Sequence, residues 1–198
     1  ILKLIAETQY SCADTFTDTI VVQPELTANF NMIDTSGCHP FTIGFTNQST
    51  GADTFLWDFG DGDFSTDTNP THTFLDSSAV SDTTFCVKLI AYSTFGCSDT
   101  VIKCIVVHPK PVINSFTTSS PFGCTPFNVT LCVTSTGSDT LYWVFGDNTF
   151  DTTAVDTCTD HIYTNITLSP QIYIPNIRIV NNDGCSDTAS LSVTVFPP

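Results

Sequence analysis

The chain has 198 residues, with five Lys and Arg against twenty Asp and Glu, a formal net charge of −15. That balance excludes nucleic-acid binding, because phosphate contact needs a cationic surface. Only Glu7 and Glu25 among the acids are Glu, the rest being turn-favouring Asp, and the strand formers Thr, Val, Ile and Phe dominate, so a helical protein is excluded as well. Nine cysteines stand far apart with no C-x-x-C pair, which fits disulfides in an oxidising compartment better than a metal cluster. No apolar run approaches the roughly 18 residues of a membrane span, so no membrane insertion is expected.

The chain opens on Lys3-Leu4-Ile5-Ala6, then Ser11-Cys12-Ala13-Asp14-Thr15, then Ile20-Val21-Val22. The same order returns as Lys88-Leu89-Ile90-Ala91, Gly96-Cys97-Ser98-Asp99-Thr100 and Ile105-Val106-Val107. Residues 1–23 therefore read as the closing hairpin of a preceding repeat. Its apolar side, through Leu2, Leu4, Ile20 and Val22, lacks a sheet to pack on. A lone two-stranded hairpin is marginal in water. The expectation is a segment of a much longer chain, such as a filament or surface fibre, with neighbouring repeats of the same chain or other copies as partners.

Residues 24–109 form the next repeat. Phe41, Ile43 and Phe45 alternate with Thr42, Gly44 and Thr46, and Val87, Leu89 and Ala91 alternate further on, a period of two that predicts strands. Asp61-Gly62 and Thr94-Phe95-Gly96 are turn candidates. Residues 110–198 repeat the pattern. Gly37-Cys38-His39-Pro40-Phe41 returns as Gly123-Cys124-Thr125-Pro126-Phe127, and Trp57-Asp58-Phe59-Gly60-Asp61-Gly62 as Trp143-Val144-Phe145-Gly146-Asp147-Asn148. Gly96-Cys97-Ser98-Asp99-Thr100 returns as Gly184-Cys185-Ser186-Asp187-Thr188, behind the turn candidate Asn182-Asp183-Gly184. About seven strands per repeat is the arithmetic of a two-sheet sandwich. The repeats meet at Val22-Gln23-Pro24 and Val107-His108-Pro109-Lys110-Pro111, short Pro-stiffened joints that predict a semi-rigid rod.

The Trp57–Gly62 segment, followed by Asn69-Pro70-Thr71-His72-Thr73-Phe74, resembles the PKD (polycystic kidney disease-type) domain, whose signature is WDFGDG and then an N-P-x-H-x-aromatic strand. The second repeat departs from it at Val144 and Asn148 and keeps only Asp160-His161-Ile162-Tyr163 of the tail. With G-C-x-P-F before and G-C-S-D-T after, the whole is similar to tandem PKD modules in giant surface proteins of Bacteroidota, including gliding-motility adhesins and other type IX secretion cargo. The resemblance implies an all-β fold of tandem immunoglobulin-like sandwiches. It also implies an extracellular or cell-surface location and a structural, adhesive stalk that presents distal regions to carbohydrate or protein ligands. The alternative it leaves is an accessory substrate-binding module of a secreted protease or glycan hydrolase.

Trp57 and Trp143 are expected in the core, since Phe59 and Phe145 share their facing. His72 and His161 are expected to be structural, bonded to neighbouring backbone. No Ser/His/Asp or Cys/His set recurs between the repeats, so no enzyme is expected. No cofactor is expected, with Asp58, Asp61 and Asp63 as a weak Ca²⁺ candidate. Thr19, Thr100, Thr140 and Thr188 follow Asp and precede aliphatic or small residues, similar to the O-glycosylation acceptor of Bacteroidota. Asn47, Asn128 and Asn165 open N-glycan sequons, relevant only in a eukaryotic source.

Cys38 and Cys97 are equivalent to Cys124 and Cys185, the only cysteine landmarks held by both repeats. The expected bridges are Cys38–Cys97 and Cys124–Cys185, each tying the start of a sandwich to its final hairpin. Cys86 and Cys104 flank a hairpin symmetrically and are expected to pair across it. Cys132 and Cys158 are expected to pair on neighbouring strands. Cys12 is left without a mate, its partner being expected upstream.

Overall fold

The computed structural model describes residues 1–22, 25–76, 78, 80–153 and 157–198. The Gln23-Pro24 step of the first predicted joint lies outside the described residues.

The β-branched and aromatic segments form strands throughout, and all regular structure among the described residues is β. The opening hairpin is β1 (Leu2–Glu7) and β2 (Ala13–Asp18), paired antiparallel with Leu4 opposite Phe16. Every residue of both strands is exposed, including Leu2, Leu4 and Phe16.

Eight strands follow: β3 (Phe30–Met32), β4 (Ser36–Cys38), β5 (Phe41–Asn47), β6 (Thr54–Asp58), β7 (Phe64–Ser65), β8 (Thr71–Phe74), β9 (Thr83–Tyr92) and β10 (Ser98–His108). They make two sheets, ordered β3-β5-β8 and β4-β10-β9-β6-β7. Alternate residues of each face the other sheet. Phe30, Ile43, Phe45 and Phe74 meet Trp57, Val87, Leu89, Ile105 and Val107 in one hydrophobic core, nearly all without exposure. Burying one such side chain stabilises by roughly 1.5–3 kcal/mol, so this layer holds the sandwich together.

The second set is β11 (Val112–Thr118), β12 (Phe122–Cys124), β13 (Phe127–Thr136), β14 (Thr140–Val144), β15 (Phe150–Thr153), β16 (Cys158–Tyr163), β17 (Gln171–Tyr173), β18 (Asn176–Val180), β19 (Ser186–Ser190) and β20 (Val193–Phe196). Val129, Leu131, Val133 and Tyr163 pack against Leu141, Trp143, Ile177, Ile179, Val193 and Val195 in a separate core. The ten-residue β9 of the first sandwich corresponds to two strands here, β17 and β18, because Pro175 stands between them and has no N–H for a ladder bond. The architecture is all-β and immunoglobulin-like. Among the described residues no helix is long and apolar enough to cross a membrane.

Short parallel pairings set the geometry of the ends. β4 lies parallel to the end of β10, with Cys38 opposite His108. β12 lies parallel to the end of β20, with Cys124 opposite Phe196. Gly37 and Gly123 are required there, since a Cβ on either would fall about 2 Å from the ring of Phe41 or Phe127. The G-C-x-P-F landmark thus carries its cysteine to the C-terminal end of each sandwich. The G-C-S-D-T landmark puts Cys97 and Cys185 at the opposite end, in the turns before β10 and β19.

That placement overturns the expected Cys38–Cys97 and Cys124–Cys185 bridges. Cys97 precedes Ser98 and Cys38 sits beside His108, so the whole of β10 separates them, about 33 Å at roughly 3.3 Å per residue. A disulfide spans at most about 7 Å between Cα atoms. Cys38 is instead bonded to Cys185 of the other sandwich, Cα to Cα 5.6 Å. Cys97, Cys124 and Cys12 are free thiols, all exposed. Cys86 is bonded to Cys104 and Cys132 to Cys158, each pair directly opposite across two strands.

Candidate functional site

The WDFGDG segment closes a tight loop after β6. Trp57 is wholly buried and donates its indole N–H to the carbonyl of Asp67 at 2.9 Å; Trp143, 1% exposed, donates to the Thr153 hydroxyl at 2.9 Å. Both indoles are core groups. Gly60 and Gly146 take φ of +83°, and a Cβ there would meet the Cys86 carbonyl oxygen at 2.8 Å or the Ile174 backbone at 2.9 Å. At the sixth position of the signature Gly62 has φ +104° and Asn148 φ +72°, Asn being the residue best able to replace Gly there.

Asp58 faces outward by the period of two and pairs with Lys88, its cross-strand partner, at 2.9 Å. The Lys88 ammonium and the Gly60 N–H hold its carboxyl below the ordinary carboxylate range. Asp58 therefore leaves the expected Asp58–Asp61–Asp63 group. The structure gathers Asp61, Asp63 and His72 instead, with one ligand atom of each within 4.8 Å of the others.

The two signature histidines make the same contact, with a side chain and not with backbone. His72 Nε2 lies 2.6 Å from Asp61 Oδ2, and the ring stacks on Phe59 at 4.1 Å, the two planes nearly parallel. His161 Nε2 lies 2.6 Å from Asp147 Oδ2 and stacks on Phe145 at 4.0 Å. Burial works against the Asp147 carboxylate, but hydrogen bonds from Thr149 and from His161 outweigh it and hold the group below its ordinary range. Burial also raises the Tyr163 phenol, whose hydroxyl donates to the Phe145 carbonyl at 2.8 Å. Imidazole, carboxylate and aromatic ring thus lock the signature loop onto the neighbouring sheet.

The second constellation lies where the sandwiches meet. β10 ends at His108 and β11 begins at Val112, leaving three residues between. Pro109 and Pro111 are buried. The Pro109 carbonyl accepts from Asn181 Nδ2 at 3.0 Å. His108 Nδ1 lies 2.9 Å from Asp82 in its own sandwich and 3.7 Å from Asp183 in the next. Lys110 pairs with Asp187 at 2.9 Å, and Asp187 Oδ2 also accepts from the Ile113 N–H at 3.3 Å. Burial opposes the Asp187 carboxylate, yet the bonds from Lys110, Ile113 and Thr188 keep it ionised below the usual range. Asp99 is its counterpart and accepts from the Ala28 N–H at 2.8 Å. A cleft of about 290 Å³ opens here, lined by Val80, Asp82, Pro109, Asp139, Asn181 and Asp183. Asp82, His108 and Asp183 are a second group, among the described residues, whose ligand atoms could share a cation. The sequence names this joint and its prolines but not its ionic contacts; the signal available for them was the Asp of G-C-S-D-T, present in each copy of the landmark.

Of the candidate acceptors, Thr19, Thr100 and Thr188 are exposed and Thr140 is half-buried. Asn165 is 1% exposed and its amide donates to the Ser169 and Val195 carbonyls, so that sequon is closed to a glycan.

No curated protein matches the chain. Among solved structures it is similar to the PKD1 domain of Vibrio anguillarum Epp (21% identity, 44% of this chain and 99% of that chain, TM-score 0.36). It is also similar to the PKD1 domain from the Vibrio cholerae metalloprotease PrtV (26% identity, 41% and 95%, TM-score 0.34). A third similarity is to the fibronectin(III)-like modules of Clostridium thermocellum CbhA (12% identity, 85% and 94%, TM-score 0.39). The family model described as PKD domain matches residues 21–107, the stretch that holds the WDFGDG loop and its His72 partner.

Proposed function

We propose that this chain is a load-bearing stalk segment of a secreted, cell-surface protein, holding distal binding regions away from the surface. The PKD domain and the three disulfides point to an extracellular setting. The observation that carries the reading is the Cys38–Cys185 bond, which joins the C-terminal end of one sandwich to the N-terminal end of the next. Relative motion is the default for two consecutive sandwiches without a large apolar interface. The bond, the buried prolines and the Asn181 and Lys110 contacts fix their relative setting. The net charge of −15 keeps such rods soluble and apart.

The bond also reroutes tension. A pull on the two ends of the chain passes from Cys38 directly to Cys185, so the 147-residue separation between them is out of the load path. Single-molecule pulling tests this. With the bond intact the fully extended chain should be shorter by about 500 Å than after reduction, at roughly 3.3–3.6 Å per residue. Equal contour lengths before and after reduction would remove the basis of the stalk reading.

A further inference from the structure

Three exposed thiols remain in a chain that otherwise pairs its cysteines. One relation accounts for two of them, Cys97 and Cys124. In the bonded pair, Cys38 belongs to a G-C-x-P-F strand and Cys185 to the G-C-S-D-T turn of the sandwich that follows. Cys124 is the first kind of cysteine, on the second sandwich. Cys97 is the second kind, on the first sandwich. Each therefore lacks its complement within the chain, Cys124 on the downstream side and Cys97 on the upstream side.

The frameworks around the free and bonded members are the same. Cys38 and Cys124 both sit on a parallel strand, followed by a backbone bond from His39 N–H to the His108 carbonyl (2.9 Å) or from Thr125 N–H to the Phe196 carbonyl (3.1 Å). At the opposite end, the Thr94 N–H donates to Asp53 Oδ2 at 2.7 Å as the Asn182 N–H donates to Asp139 Oδ2 at 2.8 Å. The Ser93–Cys97 and Asn181–Cys185 turn bonds match as well, at 2.9 and 3.0 Å. The free thiols thus stand in built copies of a site that forms a disulfide in this same molecule. The surrounding surface differs in a coordinated way. Where the internal joint sets His108 against Asp183, the outer positions equivalent to them carry Phe196 and Phe95, 39% and 62% exposed, with Phe122 packed edge-on beside Phe196.

We infer that Cys124 and Cys97 are covalent coupling points for sandwich modules of this same build: Cys124 bonds the turn cysteine of a module that follows, and Cys97 bonds the strand cysteine of one that precedes. The outer joints are apolar where the internal one is ionic. The chemistry is thiol–disulfide exchange with a small disulfide such as glutathione disulfide. One cysteine thiolate attacks it and releases one thiol. The second thiolate attacks the mixed disulfide and releases the other, so two cysteine thiols lose two protons and two electrons to one oxidant disulfide. This deepens the stalk reading and rests on it, by naming the partner at each end.

The test uses the whole chain with Cys12→Ser, leaving two free thiols, incubated in a glutathione redox buffer and mapped by mass spectrometry without reduction. A second copy of the chain is the partner at hand. The expected product is head-to-tail, Cys124 of one copy bonded to Cys97 of another, lost in Cys124→Ser and in Cys97→Ser. A statistical mixture with Cys124–Cys124 and Cys97–Cys97 links overturns the inference, as do two thiols that stay free. The same map reads the Cys38–Cys185 peptide. If that bond is present while Cys124–Cys97 fails, the coupling inference falls alone; if it is absent, the stalk reading falls too. In the native protein the mass of the unreduced species separates a further module of one chain from a second copy.

Discussion

Cys38, opposite the last residue of β10, is bonded to Cys185, in the turn before β19, so one covalent bond spans the joint between two separate cores. Each core keeps its own cross-strand bridge, Cys86–Cys104 or Cys132–Cys158. Replacing Cys38 by Ser should therefore leave each sandwich folded and change what lies between them. Spin labels on the two sandwiches should give one narrow distance distribution in the native chain and a broad one in the variant. Equal widths would mean that the proline-flanked joint alone fixes the setting. For the bridges within each sandwich, closed loops of 18 and 26 residues predict losses of about 3 kcal/mol on removal.

The signature glycine at position 146 is constrained twice, by φ of +83° and by the Ile174 backbone 2.9 Å from where a Cβ would stand. Gly146→Ala should destabilise the second sandwich by about 2 kcal/mol or more. Asn148→Gly, at φ +72°, should be close to neutral. Chemical denaturation of the two variants side by side checks this. An alanine at 146 that costs no more than the glycine at 148 would contradict the steric account.

Asp187 binds the start of its own sandwich to the linker, through Lys110 and the Ile113 N–H. Asp187→Ala should cost on the order of 1 kcal/mol, because the ion pair is partly solvated. Its clearer signature is local: hydrogen exchange at Ile113 should accelerate while amides of Leu131 and Ile177 in the core stay protected. Uniform acceleration across the sandwich would instead indicate a global role.

Much of this fold was legible because its signals are local. Period-two alternation at Phe41–Phe45 and Val87–Ala91 gives strands and their inward faces, and the repeated Trp-x-Phe gives the core. Asp58 was misassigned to a Ca²⁺ group with Asp61 and Asp63, although the same rule turns a neighbour of the inward Trp57 outward; its cross-strand partner Lys88 depends on register, which the sequence does not show. The cysteine pairing was not legible. Repeat equivalence tells which cysteines correspond, but not whether a bond closes inside a module or between modules. What decides that is the length of β10, which carries Cys38 and Cys97 to opposite ends, together with the parallel seating of β4 beside its last residues. The His108, Asp82 and Asp183 contacts had no local signal, since they form only when two sandwiches are stacked.

The His161–Asp147 pair sets an acid limit on the second sandwich. The folded-state Asp147 carboxyl titrates below its ordinary range, because the Thr149 and His161 bonds outweigh the opposing effect of burial. A depressed folded-state value stabilises the fold above the unfolded-state value of about 3.9, and that contribution disappears as pH falls through the folded-state value. Asp147→Asn keeps an oxygen for the Thr149 bonds but removes the charge facing His161. The variant should therefore melt lower than the native chain at neutral pH, and the gap should close progressively below about pH 4. Asp187 is depressed as well, so the native chain alone cannot isolate the effect, but its contribution is common to both proteins and cancels in the difference. Melting temperatures of the two chains across the acid range make the measurement. A gap that stays constant down to the lowest pH would show that Asp147 acts through packing and hydrogen-bond geometry and not through its charge.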